Sequence, residues 1–304
     1  MSDRGESVVH KIQVYLKLLR PFTLLAPIIV SSSVMIASLV YSGTTDISLN
    51  FLLLTVLSAS ICFALLNGAS NVLNQATDWK EDILSKPYRP IPRGLLSPKK
   101  AIRLSFFLYS IALLLSFTVH ILFCLFVCII AMFSITYSIR PRIKKFLFLN
   151  QVWVALPRGF FGIIGSWSVF GNPFEPLPLA IACVAALFLF GGTTTKDILD
   201  AEADKSVGTR TLVNVFGLKL ASIFSLIFMM SAFCLLLPCI YFDIVPVEIF
   251  PLAFLSILSI IIGWSMMNTQ KNTKCENTSS WTLMYMTYFI FAFSFAVIII
   301  FSFA

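Results

Sequence analysis

Residues 49–82 read LNFLLLTVLSASICFALLNGASNVLNQATDWKED, an apolar run that ends abruptly in amide and carboxylate side chains. The stretch 49–76 exceeds the ~20 residues a helix needs to cross a hydrocarbon core, so it reads as a membrane span. At its end Asn74, Asp78 and Asp82 recur every four residues, which lines them up on one helical face. The pattern returns at Lys196-Asp197-Ile-Leu-Asp200-Ala-Glu-Ala-Asp204, where Asp200 and Asp204 share a face beyond another apolar run. Carboxylates stacked in this way repel one another and also oppose the partial negative charge of a helix C-terminus, so each cluster calls for cations. Ionisable groups beside hydrocarbon are costly, and their presence marks a site.

The rest of the chain repeats the apolar theme. Of its 304 residues 58% are hydrophobic and 12% charged, against roughly 25% charged in a soluble domain. Spans are expected at 21–41, 49–76, 101–119, 120–138, 151–170, 177–196, 215–240, 247–268 and 281–303. The net charge of +8 does not point to nucleic acid, because every Lys and Arg except Arg158 lies in the N-terminal arm or in alternate loops and the span ends that border them. That alternation is the positive-inside pattern of a polytopic membrane protein. It predicts an all-α chain of nine transmembrane helices in a single domain over 1–304, with a cytoplasmic N-terminus and the C-terminus outside. The first apolar run lacks a small-residue cleavage site and is read as a retained span. The scattered cysteines, Cys124 and Cys128 among them, have no ligand partners in zinc spacing and read as small buried hydrophobes.

Alternation also converts spacing into geometry. The second and sixth spans run in the same direction, so Asp78/Asp82 and Asp200/Asp204 emerge on one side, expected to be cytoplasmic. Hard carboxylate and amide oxygens without His or Cys suit Mg²⁺, which prefers octahedral oxygen coordination and shares substrate phosphates. Asn74 adds a neutral oxygen; Asn67 and Asn71, earlier on a similar face, either extend this polar track or hold helices together. The following loop, Lys86-Pro-Tyr-Arg89-Pro-Ile-Pro-Arg93-Gly94, is stiffened by three prolines and projects three cations, an arrangement suited to an anion. Carboxylates holding a metal, the metal holding a diphosphate and cations taking the remaining oxygens, all beside an apolar interior, point to prenyl transfer.

These motifs, with Gly208-x-Arg210-Thr211-Leu212 and Tyr137-Ser138, resemble the UbiA superfamily of intramembrane prenyltransferases over the whole chain. The resemblance implies a helical bundle around a central cavity open to lipid, where a prenyl diphosphate donor is ionised with Mg²⁺ and a hydrophobic aromatic or lipid acceptor attacks the allylic cation. Carried onto this chain, it makes Asn74, Asp78, Asp82, Asp200 and Asp204 the metal and diphosphate site. It makes Lys86, Arg89, Arg93, Lys196 and Arg210 contacts for diphosphate oxygens, with Asp197 joining the second cluster or orienting the acceptor. Tyr137 is expected at the cavity mouth, offering an aromatic face to a carbocation. Arg158, roughly two turns into the fifth span, is read as a substrate contact, and Gly159, Gly162 and Gly165 beside it as close helix packing. Two other readings stay open at this point: a terpene cyclase on the same fold, which releases product with no acceptor incorporated, and a cation transporter. The second would place its acids nearer the bilayer midplane.

Overall fold

A computed structural model describes residues 2–44, 47–269 and 278–303, with only the backbone described for residues 2–9; Lys271, Lys274 and Cys275 lie outside the described residues. All regular structure among them is helical. Among the described residues eight helices are long and apolar enough to cross a membrane. Their outer faces carry large apolar side chains such as Leu54, Phe107 and Leu114, each more than 60% exposed, as a surface solvated by lipid requires. The protein is an integral, multi-pass membrane protein.

The chain opens with α1 (Ser2–Leu19), which runs into α2 (Pro21–Tyr41) through Arg20, a residue in the left-handed region at φ 56°. Pro21 disfavours the helical conformation at the residue before it, so α1 stops here. The last carbonyls of α1, which have no partner within their own helix, are taken by α3 (Leu49–Thr77): Gln75 Nε2 donates to Leu18 O at 2.7 Å and Asn71 Nδ2 to Leu19 O at 3.0 Å. Asn67 donates to Thr23 O of α2 at 2.8 Å. Asn67 and Asn71 thus hold helices together, and both also line the cavity described below.

After α4 (Trp79–Ser85) the chain forms α5 (Pro98–Phe117) and α6 (Ile121–Ser138). The turn between the last two lacks Gly, Pro or charge, and its signal is His120, whose Nδ1 accepts from Leu122 N at 3.3 Å and caps α6.

The fifth expected span, 151–170, departs from a continuous helix. It consists of α7 (Leu149–Ala155), a π turn over Leu156–Phe160 and α8 (Phe161–Trp167). Pro157 lacks the N–H an α turn needs and its ring crowds the carbonyl four residues back, so the turn widens. The expectation of nine crossings rests on counting this interrupted helix as one of them. Gly159 lets the π turn press onto α9 (Pro176–Gly192): a Cβ there would meet Ala186 N and Cα at 2.6 Å. Gly165 also packs tightly, with Phe126 3.1 Å from the place a Cβ would take, whereas Gly162 borders the cavity.

A break at Thr193 separates α9 from α10 (Thr194–Ser206), which carries the second acid cluster. Then come α11 (Leu212–Cys234), opened by a reciprocal Thr211/Asn214 capping box, and the short α12 (Leu236–Tyr241). A 3₁₀ segment (Val247–Leu255) containing Pro251 leads into α13 (Ser256–Met267), and α14 (Ser279–Phe303) packs back against α2. The largest core cluster joins α8, α9, α11 and α14 around Trp167, Phe188, Phe233 and Phe295.

Candidate active site

The first acid cluster sits on a break. Asp78, at φ −100° and ψ 11°, ends α3 and opens α4. Even so, Asp78 N bonds Asn74 O at 2.9 Å and Asp82 N bonds Asp78 O at 2.8 Å, so the four-residue stacking read from the sequence survives. Each carboxylate is closed by cations. Arg142 Nη2 donates to Asp78 Oδ1 and to Glu81 Oε1, both at 2.7 Å, and Lys144 Nζ donates to Asp78 Oδ2. Arg89 Nη1 donates to both oxygens of Asp82, at 3.0 and 2.9 Å. Burial pushes the Asp78 carboxyl up, but Lys144 and Arg142 together overcome it and hold the group below the usual carboxylate range. At Asp82 the balance reverses: burial outweighs Arg89 and Lys86, and its carboxyl is raised.

The second cluster lies on the unbroken α10. Lys86, from the proline-rich loop, donates to both oxygens of Asp200 and so ties the two clusters together. Asp197 is buried and accepts from Asn150 Nδ2 at 3.1 Å. Asn150 Oδ1 in turn accepts from the Tyr137 hydroxyl at 2.8 Å, and Lys196 Nζ donates to that hydroxyl at 2.6 Å. The same ammonium stands 5.0 Å from the Tyr137 ring centroid, on the hydroxyl side of the ring, so the ring faces are left to the cavity. Asp204 borders the cavity, and no described side chain pairs with its carboxylate.

All these groups but Arg142, which stands behind Asp78, line one cavity of about 270 Å³. Asn74, Asp78, Asp82, Lys86, Arg89, Tyr137, Arg158, Lys196, Asp197, Asp200 and Asp204 line it, and it continues into an apolar part walled by Val30, Phe63, Ile130 and Met284. Arg93 and Arg210 are not brought into it; both are exposed and outside the wall. Sequence reasoning missed Arg142, Lys144 and Asn150 as partners of the acids. Arg142 and Lys144 had a visible signal, a basic run expected on the same side as the carboxylates; Asn150 had none.

Do these residues fit a hard divalent cation? Among the described residues no three acidic, His or Cys side chains converge as a preformed metal cluster. Lys and Arg serve as the counter-charges instead. The donors are nevertheless oxygen throughout, and Asn74 Oδ1 is buried without a hydrogen-bond partner, an acceptor left over in the line of Asp78 and Asp82. A buried orphan acceptor is uncommon and needs an occupant. The set fits Mg²⁺ in chemistry.

Residues 30–289 match the UbiA prenyltransferase family. The chain belongs to the UbiA prenyltransferase family. Among its relatives, digeranylgeranylglyceryl phosphate synthase of Methanobrevibacter smithii is 27% identical over 82% of this chain and 83% of its own length. The synthase of the same name from Methanosphaera stadtmanae is 27% identical over 67% of this chain and 72% of its own. A UbiA homologue from Archaeoglobus fulgidus, solved bound to GPP and Mg²⁺, superposes with a TM-score of 0.65 at 20% identity, covering 94% of this chain and 98% of that one. The UbiA membership sets the transporter reading aside, and the structural likeness shows that the fold is shared.

Proposed function

We propose that this UbiA-family protein transfers a prenyl group from a prenyl diphosphate to a hydrophobic acceptor inside the membrane, with Mg²⁺, and that the acceptor is a glycerol-based lipid. The observation that carries this reading is the single cavity whose polar end gathers two acid clusters with Lys86, Arg89, Lys144 and Lys196 while its other end is apolar. A diphosphate needs the first and a hydrocarbon chain the second. The lipid acceptor is supported by relatives whose name specifies a digeranylgeranylglyceryl phosphate product.

Asn74, Asp78, Asp82, Asp200 and Asp204 would hold Mg²⁺, which when bound neutralises charge growing on a leaving diphosphate. Lys86, Arg89, Lys144 and Lys196 take diphosphate oxygens, donors fixed in advance where charge develops. As the carbon–oxygen bond of the donor breaks, its electron pair stays on the diphosphate and the allylic carbon becomes cationic. Tyr137 presents its ring to that cation, held in place by Asn150 and Lys196. The acceptor oxygen or carbon supplies an electron pair to the allylic carbon and loses a proton, which departs with the diphosphate. The apolar wall excludes water from the cation. The charge alternation of the loops supports a cytoplasmic position for the acid end.

The test is diphosphate release by purified protein in nanodiscs with geranyl, farnesyl and geranylgeranyl diphosphate, with and without Mg²⁺, followed by mass spectrometry. The expected result is Mg²⁺-dependent release with an adduct of a prenylglyceryl phosphate. Release with a cyclised hydrocarbon or alcohol and no adduct establishes the cyclase instead, and no release from any donor overturns the reading.

A further inference from the structure

Arg158 is unlike the other cations of the cavity. Lys86, Arg89 and Lys144 are each paired with a carboxylate, Lys196 with a tyrosine hydroxyl, and Arg20 is not without a partner. The Arg158 side chain is accessible along the cavity wall, yet no described residue makes a hydrogen bond or ion pair with its guanidinium. It also shares the cavity with Lys196, and the two repel one another. An arginine in the middle of an otherwise apolar span is expensive without a counter-charge, and evolution has an easy apolar replacement unless a ligand supplies the charge.

Its backbone is held with care. Arg158 lies in the π turn, a feature that recurs at functional sites. Tyr288 of α14, fully surrounded by protein, donates its hydroxyl to Arg158 O at 3.1 Å. On the next residue Gly159 seats the turn against the α9 backbone, where a Cβ would stand 2.6 Å from Ala186. Two elements therefore fix where the guanidinium originates. Arg158 follows Asn150, which belongs to the acid layer, by eight residues, so its backbone lies about 12 Å further along the helix at 1.5 Å per residue. That is deeper than the groups assigned to the diphosphate and beside the apolar wall.

We infer that Arg158 is a specificity-determining residue that binds an anionic group, a phosphate or a carboxylate, on the acceptor. The inference deepens the prenyl-transfer reading and rests on it for the name of the ligand. It makes acceptors anionic as a class and explains why the cavity keeps a cation away from both acid clusters.

The experiment compares matched acceptors on wild-type, Arg158→Gln and Arg158→Lys proteins in nanodiscs. One pair is a prenylglyceryl phosphate and its dephosphorylated alcohol; the other is 4-hydroxybenzoate and its amide. The two pairs separate a phosphate source from a carboxylate source. Binding of each acceptor, and separately of a non-ionisable thiolodiphosphate donor with Mg²⁺, is measured by calorimetry, so the answer does not depend on turnover. Wild type is expected to prefer the anionic member of one pair. Arg158→Gln should weaken that member by about 10- to 100-fold, the scale of a charge-assisted pair, leaving its neutral partner and the donor unchanged. Arg158→Lys should restore part of the preference. Weakened donor binding with the acceptor preference intact assigns Arg158 to the diphosphate and overturns the inference, as does a wild type indifferent to acceptor charge in both pairs. Arg158-dependent acceptor binding with no adduct formed by any pair leaves the inference standing and overturns prenyl transfer.

Discussion

The two acid clusters have nearly the same spacing and different structures. Asp78 and Asp82 sit at a helix break, buried, each already satisfied by Arg or Lys. Asp200 and Asp204 ride an unbroken α10, half-buried, with Lys86 on the first and no described partner on the second. One cluster is closed with internal counter-charges and the other is open to the cavity. The contrast teaches that equal carboxylate spacing does not imply equal availability: Asp78, Asp82 and Asp200 each have to give up an ion pair before their oxygens can serve a ligand, and Asp204 does not.

The largest expected effect tests whether the two nevertheless act as one site. Asp78→Asn and Asp200→Asn should each lower diphosphate release by about 10³-fold, since several kcal/mol of charge stabilisation is lost at ~1.4 kcal/mol per tenfold. Near-normal turnover in one of them would leave a one-cluster site. Next comes stability without Mg²⁺. Asp78→Asn strands Lys144 and leaves Arg142 with Glu81 alone, and should cost about 3 kcal/mol, the low end for breaking a buried pair. Asp204→Asn should stay within about 0.5 kcal/mol, as it severs no described ion pair. Thermal unfolding in detergent with chelator compares them, and equal losses would erase the distinction between closed and open.

A smaller effect concerns competition. Lys144→Ala removes an ammonium from Asp78 and should tighten Mg²⁺ binding measured by calorimetry about tenfold, ~1.4 kcal/mol. Unchanged affinity would mean that Asp78 is not a ligand. The smallest is an acid dependence. The Asp78 carboxyl is held down in the folded protein, so its ion pairs stabilise fully above the unfolded value near ~4 and are lost as pH falls through the lower folded value. Asp82, raised by burial, contributes with the opposite sign. Unfolding free energy of wild type should therefore drop below about pH 4 more steeply than that of Asp78→Asn; parallel curves would remove Asp78 from the acid response.

Much of this was legible in the chain. The spans at 21–41 and 120–138 match α2 and α6 to within a residue, because a membrane demands a fixed apolar length and apolar runs are local. The fifth span was only half legible: Gly159 was read as a packing glycine, but the π turn that Pro157 opens was not, and which helix Gly159 packs on, α9, is settled only by the fold. At the site, Arg93 and Arg210 had the right charge and the right loops, yet the loops turn them outward. Asn150 was invisible, an ordinary amide until folding sets it between Tyr137 and Asp197.

The sequence by itself determined that the chain is a helical membrane protein with two carboxylate clusters and basic loops on a common side, because hydrophobic length, four-residue spacing and charge alternation need no knowledge of contacts. Only the tertiary structure decided which cation answers which carboxylate. Arg142 and Lys144 reach Asp78 across sequence separations of 64 and 66 residues, and the Arg158 guanidinium is left with no described hydrogen-bond or ion-pair partner. Pairing of this kind is a property of packed helices: it is settled by which side chains the bundle buries together, and buried charges must find partners wherever the fold brings them.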